Sequence, residues 1–283
     1  MTTPRSILIT GCSSGIGYHC ALSLHERGWR VFATARRDAD IEALTTLGLE
    51  ALRLDVADTD SIEEAVAAVL EHTGGRLDAL FNNAGYGQPG AVEDLPADAL
   101  RAQFETNVIG AQQLIRAVLP AMRTRGHGRI VNHSSVLGIV ALPYRGAYNA
   151  SKFALEGLTD TLRQELAVTA PGIGVSLIET GPVRSQFRAN AYRMYQRYID
   201  ASTSAHRDIY EAVERRLAGS GDAPFTRGPE AVCDKLVHAL EAPRPRARYR
   251  VTVPTQLFGL LRRILPTRGL DAALLRSTAA ERR

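Results

Sequence analysis

Short apolar runs alternate along the chain with longer segments whose apolar residues recur every three or four positions. The short runs predict β-strands, and they lie at Ser6–Thr10, Trp29–Ala35, Leu49–Leu54, Ala79–Asn82, Arg129–His133 and Val175–Glu179. The longer segments predict helices, and they cover Ile16–Arg27, Asp38–Leu47, Thr59–His72, Asp98–Arg123 and Tyr148–Ala170. This alternation predicts a single α/β domain, a Rossmann-type doubly wound parallel sheet in a three-layer α/β/α arrangement. The carboxyl ends of the strands would share one edge, where such sheets bind ligands.

The pattern changes after Pro182. Residues 184–220 have helical propensity and are rich in Tyr, Arg and Ala. The later elements that the pattern predicts are a helix over Pro229–Glu241, a strand over Arg248–Val253 and a helix over Thr255–Leu265, whose apolar residues share one face. We therefore expect one domain over residues 1–253 and a C-terminal arm over residues 254–283.

The charge is divided unevenly between residues 243–283, which include the arm, and the rest of the chain. The chain has 34 Lys and Arg against 30 Asp and Glu, a net charge of +4. Residues 243–283 hold ten Arg and two acids, a charge of +8, so the remaining residues carry −4. The basic character belongs to this C-terminal segment, and the charge of the rest of the chain gives no reason to expect nucleic-acid binding.

Composition narrows the class of protein further. Hydrophobic residues make up 45% and charged residues 23%, which excludes a disordered or low-complexity chain. The three cysteines Cys12, Cys20 and Cys233 are odd in number and lack close pairing, so we expect no disulfide framework and no metal site. No signal peptide is visible, and no apolar run reaches the roughly 18 residues of a transmembrane helix. The sequence therefore predicts a soluble, cytoplasmic protein.

A glycine-rich turn, TGCSSGIG at residues 10–17, follows the first predicted strand and opens the first predicted helix. Glycine permits a tight turn and close approach of the backbone to a pyrophosphate, and the helix N-terminus supplies free N–H groups. The strand–turn–helix context is the one that a dinucleotide site requires, although a plain structural turn is the alternative. The candidate cofactor-binding residues of this turn are Gly11, Ser13, Ser14, Gly15, Ile16 and Gly17.

The end of the second predicted strand distinguishes NAD from NADP. An NAD site places an acid there to hold the ribose 2′-hydroxyl, whereas this chain has Arg36 and Arg37. A guanidinium matches a phosphate through two parallel hydrogen bonds. We therefore predict NADP(H), with Arg36 at the 2′-phosphate and Ser13 adding a hydroxyl. Asp38 leaves an NAD site as the alternative.

Tyr148 and Lys152 lie four residues apart at the start of a predicted helix, so their side chains share one face. A phenol with a pKa near 10 is a poor base at neutral pH, but a nearby ammonium favours the phenolate. Tyr148 can then take the proton of an alcohol or give one to a carbonyl. The pair alone is suggestive of an oxidoreductase.

These residues belong to an ordered set of motifs. TGCSSGIG is followed by NNAG at residues 82–85, by Asn107 in the long predicted helix, and by Ser135 thirteen residues before Tyr148. The set resembles the short-chain dehydrogenase/reductase superfamily in its common short form, over roughly residues 5–182. Four motifs in the expected order carry more weight than any single spacing.

The resemblance implies a role for each matching residue. Tyr148 would be the general acid/base, Lys152 would bind the nicotinamide ribose and lower the pKa of Tyr148, and Ser135 would hydrogen-bond the reacting oxygen. Asn107 would hold a water in a proton relay to Lys152. Ser134 adjoins Ser135, and only the spacing to Tyr148 chooses between them. The remaining cofactor contacts that the resemblance implies are Asp55 at the adenine, and Asn83, Ala84, Gly85 and Val183.

The segment after the sixth strand closes over the substrate in this superfamily, and here it would be a lid over residues 184–226. We expect Phe187 and Tyr192 of this lid at a bulky apolar substrate, with packing of the lid on the domain as the alternative. Two positions depart from the usual pattern: Thr180 stands where a proline is common, and Ser185 stands where a threonine often contacts the carboxamide.

The turn, the ATARR segment and the YNASKFALEGL helix resemble the branch of 17β-hydroxysteroid and retinol dehydrogenases. The predicted function is an NADP(H)-dependent oxidoreductase that interconverts a hydrophobic alcohol and its ketone or aldehyde, steroid-, retinoid- or fatty-aldehyde-like. A catalytically weak NADP(H)-binding regulatory protein is the alternative from another class.

Two further expectations concern partners. The superfamily forms homodimers and homotetramers through the helices that carry Asn107 and Tyr148, so the resemblance implies a homo-oligomer. The apolar face of the predicted arm helix is flanked by Arg262 and Arg263, which is compatible with contact at a membrane surface. We favour packing of that helix on the domain or on a partner subunit.

Overall fold

The computed structural model describes residues 4–219 and 221–279. Within these residues the chain forms seven β-strands and eleven α-helices. The strands are β1 (Ser6–Ile9), β2 (Arg30–Ala35), β3 (Glu50–Arg53), β4 (Ala79–Asn82), β5 (Gly128–Ser135), β6 (Ile173–Thr180) and β7 (Arg248–Arg250). The helices are α1 (Gly15–Glu26), α2 (Asp38–Thr46), α3 (Thr59–His72), α4 (Ala97–Phe104), α5 (Gly110–Arg125), α6 (Gly146–Thr169), α7 (Phe187–Tyr198), α8 (Arg207–Ala218), α9 (Glu230–Glu241), α10 (Val253–Ile264) and α11 (Thr267–Ser277).

Among the described residues the strands form one parallel sheet in the order β3-β2-β1-β4-β5-β6-β7. The central strand β1 is buried on both faces, and its Leu8 lies opposite Phe32 of β2 and Leu80 of β4. Strand order reverses at β1, so the loops after β1 and β4 leave the sheet in opposite directions and open a crevice between them. This arrangement confirms the predicted Rossmann-type, doubly wound α/β fold.

Two hydrophobic cores cover the two faces of the sheet. On one face α1 and α9 pack together, with Cys20, Leu24 and Leu236 fully buried. On the other face α3, α5 and α6 contribute residues such as Leu114 and Leu166. Both faces of the strands are therefore withdrawn from water, which explains their nearly continuous apolar sequence and confirms the three-layer arrangement.

The long helix predicted over Asp98–Arg123 is divided in the structure. A π-helical turn at Glu105–Ile109 separates α4 from α5, and α5 ends where Gly126 adopts a φ of +66°. A π-turn inserts one residue into the helical repeat, and such turns are frequent at functional sites. Apolar periodicity does not reveal it, because the flanking turns keep their helical spacing.

The chain after β6, where residues 184–220 have helical propensity, forms two helices. It forms α7, a short 3-10 turn over Ala201–Thr203 and then α8. An isolated bridge between Val183 and Arg227 brings the two ends of this segment together. Its buried Tyr210 donates a hydrogen bond of 2.6 Å to Asp94 and accepts one of 2.8 Å from the N–H of Ala91. These two hydrogen bonds hold the segment against the loop that follows β4.

Strand β7 ends at Arg250, three residues earlier than predicted, and Val253 already begins α10. Helix α11, which the pattern did not predict, follows directly. The buried Leu270 and Leu274 of α11 pack with Val140 from the segment after β5. The described part of the arm is therefore folded against the domain. None of the helices in residues 4–219 and 221–279 is long and apolar enough to cross a membrane.

Candidate active site

The glycine-rich turn after β1 leaves the N-terminus of α1 open. Ser14 precedes the helix in an extended conformation and its side chain makes no capping hydrogen bond, so the first N–H groups of α1 have no side-chain partner there. A Cβ atom on Gly17 would lie 2.3 Å from the carbonyl oxygen of Gly11 and 2.6 Å from Asn83 Nδ2. Only glycine allows this close approach. The result is a backbone cradle of the kind that holds a pyrophosphate.

The loop after β4 fixes the cradle from the other side of the crevice. The side chain of Asn83 donates a hydrogen bond of 2.9 Å to the carbonyl of Thr10. The backbone N–H groups of Asn83 and Ala84 both donate to the Thr10 hydroxyl at 2.9 Å. The structure thus brings the first two sequence motifs together, as a dinucleotide site requires.

Charged residues at the end of β2 surround the place expected for the adenine ribose. The Arg36 side chain is 74% exposed, and its guanidinium lies 3.9 Å from the Asp55 carboxylate. Asp38 forms an ion pair with Arg53, and Arg37 forms one with Asp40 at 2.7 Å. The guanidinium of Arg36 is therefore accessible beside Asp55, and the exposed carboxylate of Asp38, which could favour NAD, has Arg53 as a cationic partner.

The glycine-rich turn after β1 also lies beside the end of β2. The N–H of Cys12 donates a hydrogen bond of 2.8 Å to the carbonyl of Thr34 in β2, and Ser13 beside it is exposed. The thiol of Cys12 is buried, which raises its pKa to about 12, and it points to the carbonyl of Ile9. Cys12 is a packing residue here, and its thiol is not activated.

Tyr148 lies in the first turn of α6 and faces the end of β5. The Ser135 hydroxyl accepts a hydrogen bond of 3.1 Å from the N–H of Leu137 and lies near the phenol. Burial raises the pKa of Tyr148 to about 12, and the nearby Ser135 hydroxyl opposes part of this rise. The ammonium of Lys152 lies 5.7 Å from the centroid of the Tyr148 ring. The three side chains therefore meet at the carboxyl edge of the sheet, with the phenol protonated at neutral pH.

The neighbouring Ser134 has a different environment. It is buried, its hydroxyl has no hydrogen-bond partner among the described residues, and it lies with the side chain of Glu156 beside Gly138. Successive strand residues point to opposite faces, so only one of the two serines can meet Tyr148. The structure brings Ser135 to that position, which agrees with the choice made from the spacing.

Lys152 is buried one turn after Tyr148. Its Nζ donates a hydrogen bond of 2.7 Å to the backbone carbonyl of His133. Burial lowers the pKa of the ammonium to about 8, and the negative charge of Glu156 opposes this effect. The group is therefore charged at neutral pH, with a pKa close enough to respond to its surroundings.

Asn107 lies in the π-helical turn and is buried. Its Oδ1 accepts a hydrogen bond of 3.1 Å from the N–H of Tyr86, and its Nδ2 donates to the carbonyl of Tyr86 and to Ser151 Oγ. A Cβ atom on Gly85 would lie 3.0 Å from Asn107 Oδ1 and 4.0 Å from Lys152 Nζ. Asn107 and Lys152 thus border the same space beside Gly85, where a polar ligand or water could contact both.

The segment after β6 contributes Phe187 to this edge. Its ring lies 5.3 Å from the ring of Tyr148, and the side chain is partly exposed. Tyr192 has a different position: it stacks on Tyr195 at 6.4 Å, within the small core between α7 and α8. The structure therefore brings Phe187 to the catalytic tyrosine, whereas the packing of Tyr192 follows the alternative given for these aromatic residues.

Val183 and Ser185, which follow β6, contact different parts of the molecule. Val183 packs partly against the core beneath α1. Ser185 lies against Gly15, where an added Cβ would come within 2.9 Å of the serine Cβ, and its hydroxyl accepts a hydrogen bond from the N–H of Phe187. Both residues thus border the open N-terminus of α1.

Comparison with known families decides what these motifs belong to. The profile described as short chain dehydrogenase matches residues 5–196. The chain belongs to the short-chain dehydrogenase/reductase family. It is 40% identical over 271 residues to the Uncharacterized oxidoreductase YbbO of Escherichia coli K12, covering 95% of this chain and 94% of that protein.

Relatives with named activities place the chain within the family. It is 37% identical over 260 residues to human 17-beta-hydroxysteroid dehydrogenase type 1, covering 87% of this chain and 77% of that protein. It is 36% identical over 261 residues to human retinol dehydrogenase 8, covering 88% and 82%. The protein is therefore an oxidoreductase of the short-chain dehydrogenase/reductase family, nearest to this branch.

Solved structures of the family hold either nucleotide. A short-chain dehydrogenase/reductase from Burkholderia phymatum in complex with NAD is 25% identical, with a TM-score of 0.78 over 96% of this chain and 95% of that one. An actinorhodin polyketide ketoreductase variant with NADPH is 30% identical, with a TM-score of 0.71 over 89% and 97%. Members of this fold thus bind NAD or NADP.

His133 is a residue of this short-chain dehydrogenase site that sequence patterns alone did not single out. Its ring nitrogens are hydrogen-bonded to Asn83 Oδ1 and Thr180 Oγ1, each at 3.1 Å. Thr180, which departs from the usual proline, therefore provides the hydroxyl that holds the ring. Thr180 in place of the common proline was the one sequence feature that pointed to His133, because a buried threonine hydroxyl needs a hydrogen-bond partner.

Proposed function

We propose that this protein is an NADP(H)-dependent oxidoreductase that interconverts a hydrophobic alcohol and its ketone or aldehyde. The observation that carries the proposal is the meeting of Tyr148, Ser135 and Lys152 at the carboxyl edge of the sheet, beside the open N-terminus of α1. In this proposal Tyr148 is the general acid/base, and oxidation of one alcohol by NADP⁺ gives one carbonyl product, NADPH and one proton.

The residues around the crevice fit a dinucleotide. The backbone of the glycine-rich turn would hold the pyrophosphate, because the N–H groups at the start of α1 lack side-chain caps. When bound, NADP(H) supplies or accepts the hydride. The residues that we propose to hold it are Gly11, Ser13, Ser14, Gly15, Ile16, Gly17, Arg36, Asp55, Asn83, Ala84, Gly85, Tyr148, Lys152 and Val183.

Proton transfer is the work of the side chains around Tyr148. With a pKa of about 12, the phenol carries its proton at neutral pH and can donate it to the oxygen of a carbonyl substrate. Ser135 orients that oxygen by a hydrogen bond. The positive charge of Lys152 stabilises the phenolate that remains, and Asn107 supports a relay that returns a proton through the space beside Gly85.

The preference for NADP(H) rests on the end of β2. The exposed guanidinium of Arg36 supports binding of a 2′-phosphate, since guanidinium and phosphate form paired hydrogen bonds. The ion pair of Asp38 with Arg53 supports the same choice, because a carboxylate that is already paired is a weaker acceptor for a ribose hydroxyl.

The proposed substrate class is a bulky apolar alcohol or carbonyl compound. Phe187 beside Tyr148 offers an apolar surface at the reacting group, and we propose residues 184–226 as the lid that carries it. The names of two relatives, a hydroxysteroid dehydrogenase and a retinol dehydrogenase, support a steroid-, retinoid- or fatty-aldehyde-like compound.

We further propose a cytoplasmic homodimer or homotetramer. The three buried cysteines have free thiols, which supports a reducing compartment. Ile109 and Leu158 leave large apolar side chains exposed on the helices that carry Asn107 and Tyr148, which supports contact between subunits there. Light scattering of the purified protein, with Leu158→Arg as the disrupting variant, tests the assembly.

The test of the function is turnover by wild type, Tyr148→Phe and the control variant Tyr249→Phe, whose hydroxyl is hydrogen-bonded to His238 outside the proposed site and lid. Reduction of aldehydes, ketosteroids and retinoids is followed by consumption of NADPH, with NADH in parallel. We expect activity from wild type and Tyr249→Phe, and loss of at least about a hundredfold in Tyr148→Phe, since general acid catalysis contributes that much. NADPH fluorescence checks that all three proteins bind the nucleotide. Full turnover by Tyr148→Phe refutes the mechanism, and tight NADPH binding without turnover by wild type favours the regulatory alternative.

A further inference from the structure

Helix α10 has two apolar faces, although its sequence suggests one. The inner face packs on the domain, with Phe258, Leu261 and Leu265 partly buried beside Val140 and Leu270. A second set of apolar side chains on the same helix points to solvent. This outer face consists of Val253, Leu257, Leu260 and Ile264, which are 54%, 49%, 53% and 63% exposed.

The members of the outer face are regularly spaced. They lie at positions i, i+4, i+7 and i+11 of α10, which places them in one line along the helix. Exposed apolar residues that occur singly need no explanation, but a continuous line of four on a helix is the pattern of a binding surface. The inner face already fixes the helix to the domain, so the outer face is not needed for folding.

The charge of the segment that carries the outer face is mainly positive. Residues 253–279 contain four arginines and the single acid Asp271. Arg263 lies beside the outer face in the last turn of α10, and Arg268 and Arg276 lie at exposed positions of α11. Arg262 projects from the opposite side of α10, where its guanidinium lies 5.5 Å from the centroid of the Phe153 ring. An apolar line bordered by guanidinium groups is complementary to a surface that is apolar inside and carries phosphates outside.

We propose that the outer face of α10 docks the protein on the surface of an anionic lipid bilayer. Leu257, Leu260 and Ile264 would enter the boundary between head groups and acyl chains, while the arginines contact lipid phosphates. The helix would lie in the plane of the membrane surface, since it is too short to cross a bilayer.

A second copy of the chain fits this surface less well. A two-fold contact would bring the outer face onto itself, so the arginines beside both copies of the face would enter one interface with no excess of acids to balance them. Four half-exposed side chains also fall well short of the roughly 800 Å² per partner that a stable interface buries. Both objections disappear on a bilayer, where the counter-surface is negative and continuous.

The position of α10 would place the candidate active site near the membrane surface. The helix follows the carboxyl end of β7 and packs beside the segment after Ser135, so the outer face lies at the same edge of the sheet as Tyr148. We infer that a membrane-dissolved apolar substrate reaches the site from the bilayer, and this point alone rests on the proposed function. The docking itself does not depend on turnover.

The experiment is co-sedimentation of the full-length protein with vesicles of phosphatidylcholine mixed with phosphatidylglycerol, and with phosphatidylcholine alone. Wild type is compared with Leu257→Gln/Ile264→Gln on the outer face and with Leu47→Gln/Val168→Gln, which alters two exposed apolar residues elsewhere. Circular dichroism verifies that each protein is folded. Light scattering follows the subunit number of each.

We expect wild type and the control variant to bind the anionic vesicles, with weaker binding to neutral vesicles and at high salt. The outer-face variant should bind at least about tenfold more weakly, because two apolar side chains no longer enter the bilayer. Absence of binding by wild type, or equal binding by the outer-face variant, overturns the proposal. The proposal is also overturned if the outer-face variant loses subunit assembly while wild type binds no vesicles. That result would assign the outer face to contact with a second copy of the chain. Vesicle binding is measured without substrate, so an inactive enzyme would refute the proposed function and leave this result standing.

Discussion

The ammonium of Lys152 is held by a hydrogen bond of 2.7 Å to the backbone carbonyl of His133. The ring of His133 is in turn held by Asn83 from the loop after β4 and by Thr180 at the end of β6. The position of Lys152 therefore depends on three neighbouring strands, although a single helix carries it. His133 acts on the site through this backbone contact and through the neutrality of its ring.

The protonation of His133 leads to a first prediction about stability. Burial, with a smaller contribution from Lys152, lowers the pKa of His133 to about 3, against 6.5 for an exposed imidazole. The folded state thus binds fewer protons than the unfolded chain between these values. Its contribution to stability is present above pH 6.5 and is lost as the pH falls toward 3.

We expect the free energy of unfolding in urea to fall between neutral pH and about pH 5, and to fall less in His133→Asn. The control is His25→Asn, which changes an exposed histidine at the end of α1. It should keep the pH dependence of wild type. An unchanged pH dependence in His133→Asn would contradict the neutral, buried imidazole.

A second prediction concerns the choice of nucleotide. Arg36→Ala should raise the KM for NADPH about tenfold or more, because a charge-assisted contact with the 2′-phosphate is lost. The KM for NADH should hardly change. Arg37→Ala is the matched control, since that guanidinium is held by Asp40 at 2.7 Å. Equal effects of both substitutions on NADPH would remove Arg36 from the specificity determinants, and activity with NADH alone would overturn the preference.

A third prediction compares two glycines in helices. Gly17→Ala forces a Cβ to within 2.3 Å of the Gly11 carbonyl, whereas a Cβ on Gly157 meets nothing within 4 Å. We expect Gly17→Ala to abolish nucleotide binding or to lower the thermal stability strongly. Gly157→Ala should stabilise the protein by roughly 0.5–1 kcal/mol, because alanine favours the helix. NADPH fluorescence titration and thermal denaturation measure both effects, and an undisturbed Gly17→Ala protein would contradict the close packing of the turn.

The fold was predictable because short apolar strands buried on both faces leave a strong and local signal. The two motifs that meet across the crevice, around Gly11 and Asn83, were also predictable, since each combines a strand end with a glycine-containing loop. The π-helical turn that carries Asn107 was not, because one inserted residue does not disturb the apolar period on either side. The placement of Tyr192 was open, since an aromatic residue serves packing and substrate contact equally well.

The arm shows another limit of sequence patterns. The apolar residues of α10 form a broad stripe in the sequence, and only tertiary packing divides them into the inner and the outer face. The role of His133 also could not be predicted from the sequence, because it too depends on tertiary contacts. Its importance comes from partners 50 and 47 residues away in the chain, and local sequence carries no record of such distant contacts.

The last prediction concerns the charges behind Lys152. The carboxylate of Glu156, one turn further along α6, accepts a hydrogen bond of 3.0 Å from Arg248. The same guanidinium also pairs with Asp160 and with the buried Glu179. Burial raises the pKa of Glu156 to about 7, although Ser134 and Arg248 favour its charged form. A partly buried cation is thus shared among three acids, and Glu156 is the one that takes up a proton near neutrality.

The raised pKa means that the folded state binds the proton of Glu156 more tightly than the unfolded chain does. Its contribution to stability is fully present below about pH 4.5 and is lost as the pH rises through 7. Glu156→Gln cannot ionise, so its stability relative to wild type should improve from pH 5 to pH 8, by roughly 3 kcal/mol at most. Urea denaturation at both pH values measures this difference, with the exposed Glu165→Gln as the control that should show none. A constant difference between Glu156→Gln and wild type would mean that Glu156 stays ionised throughout, held by Arg248.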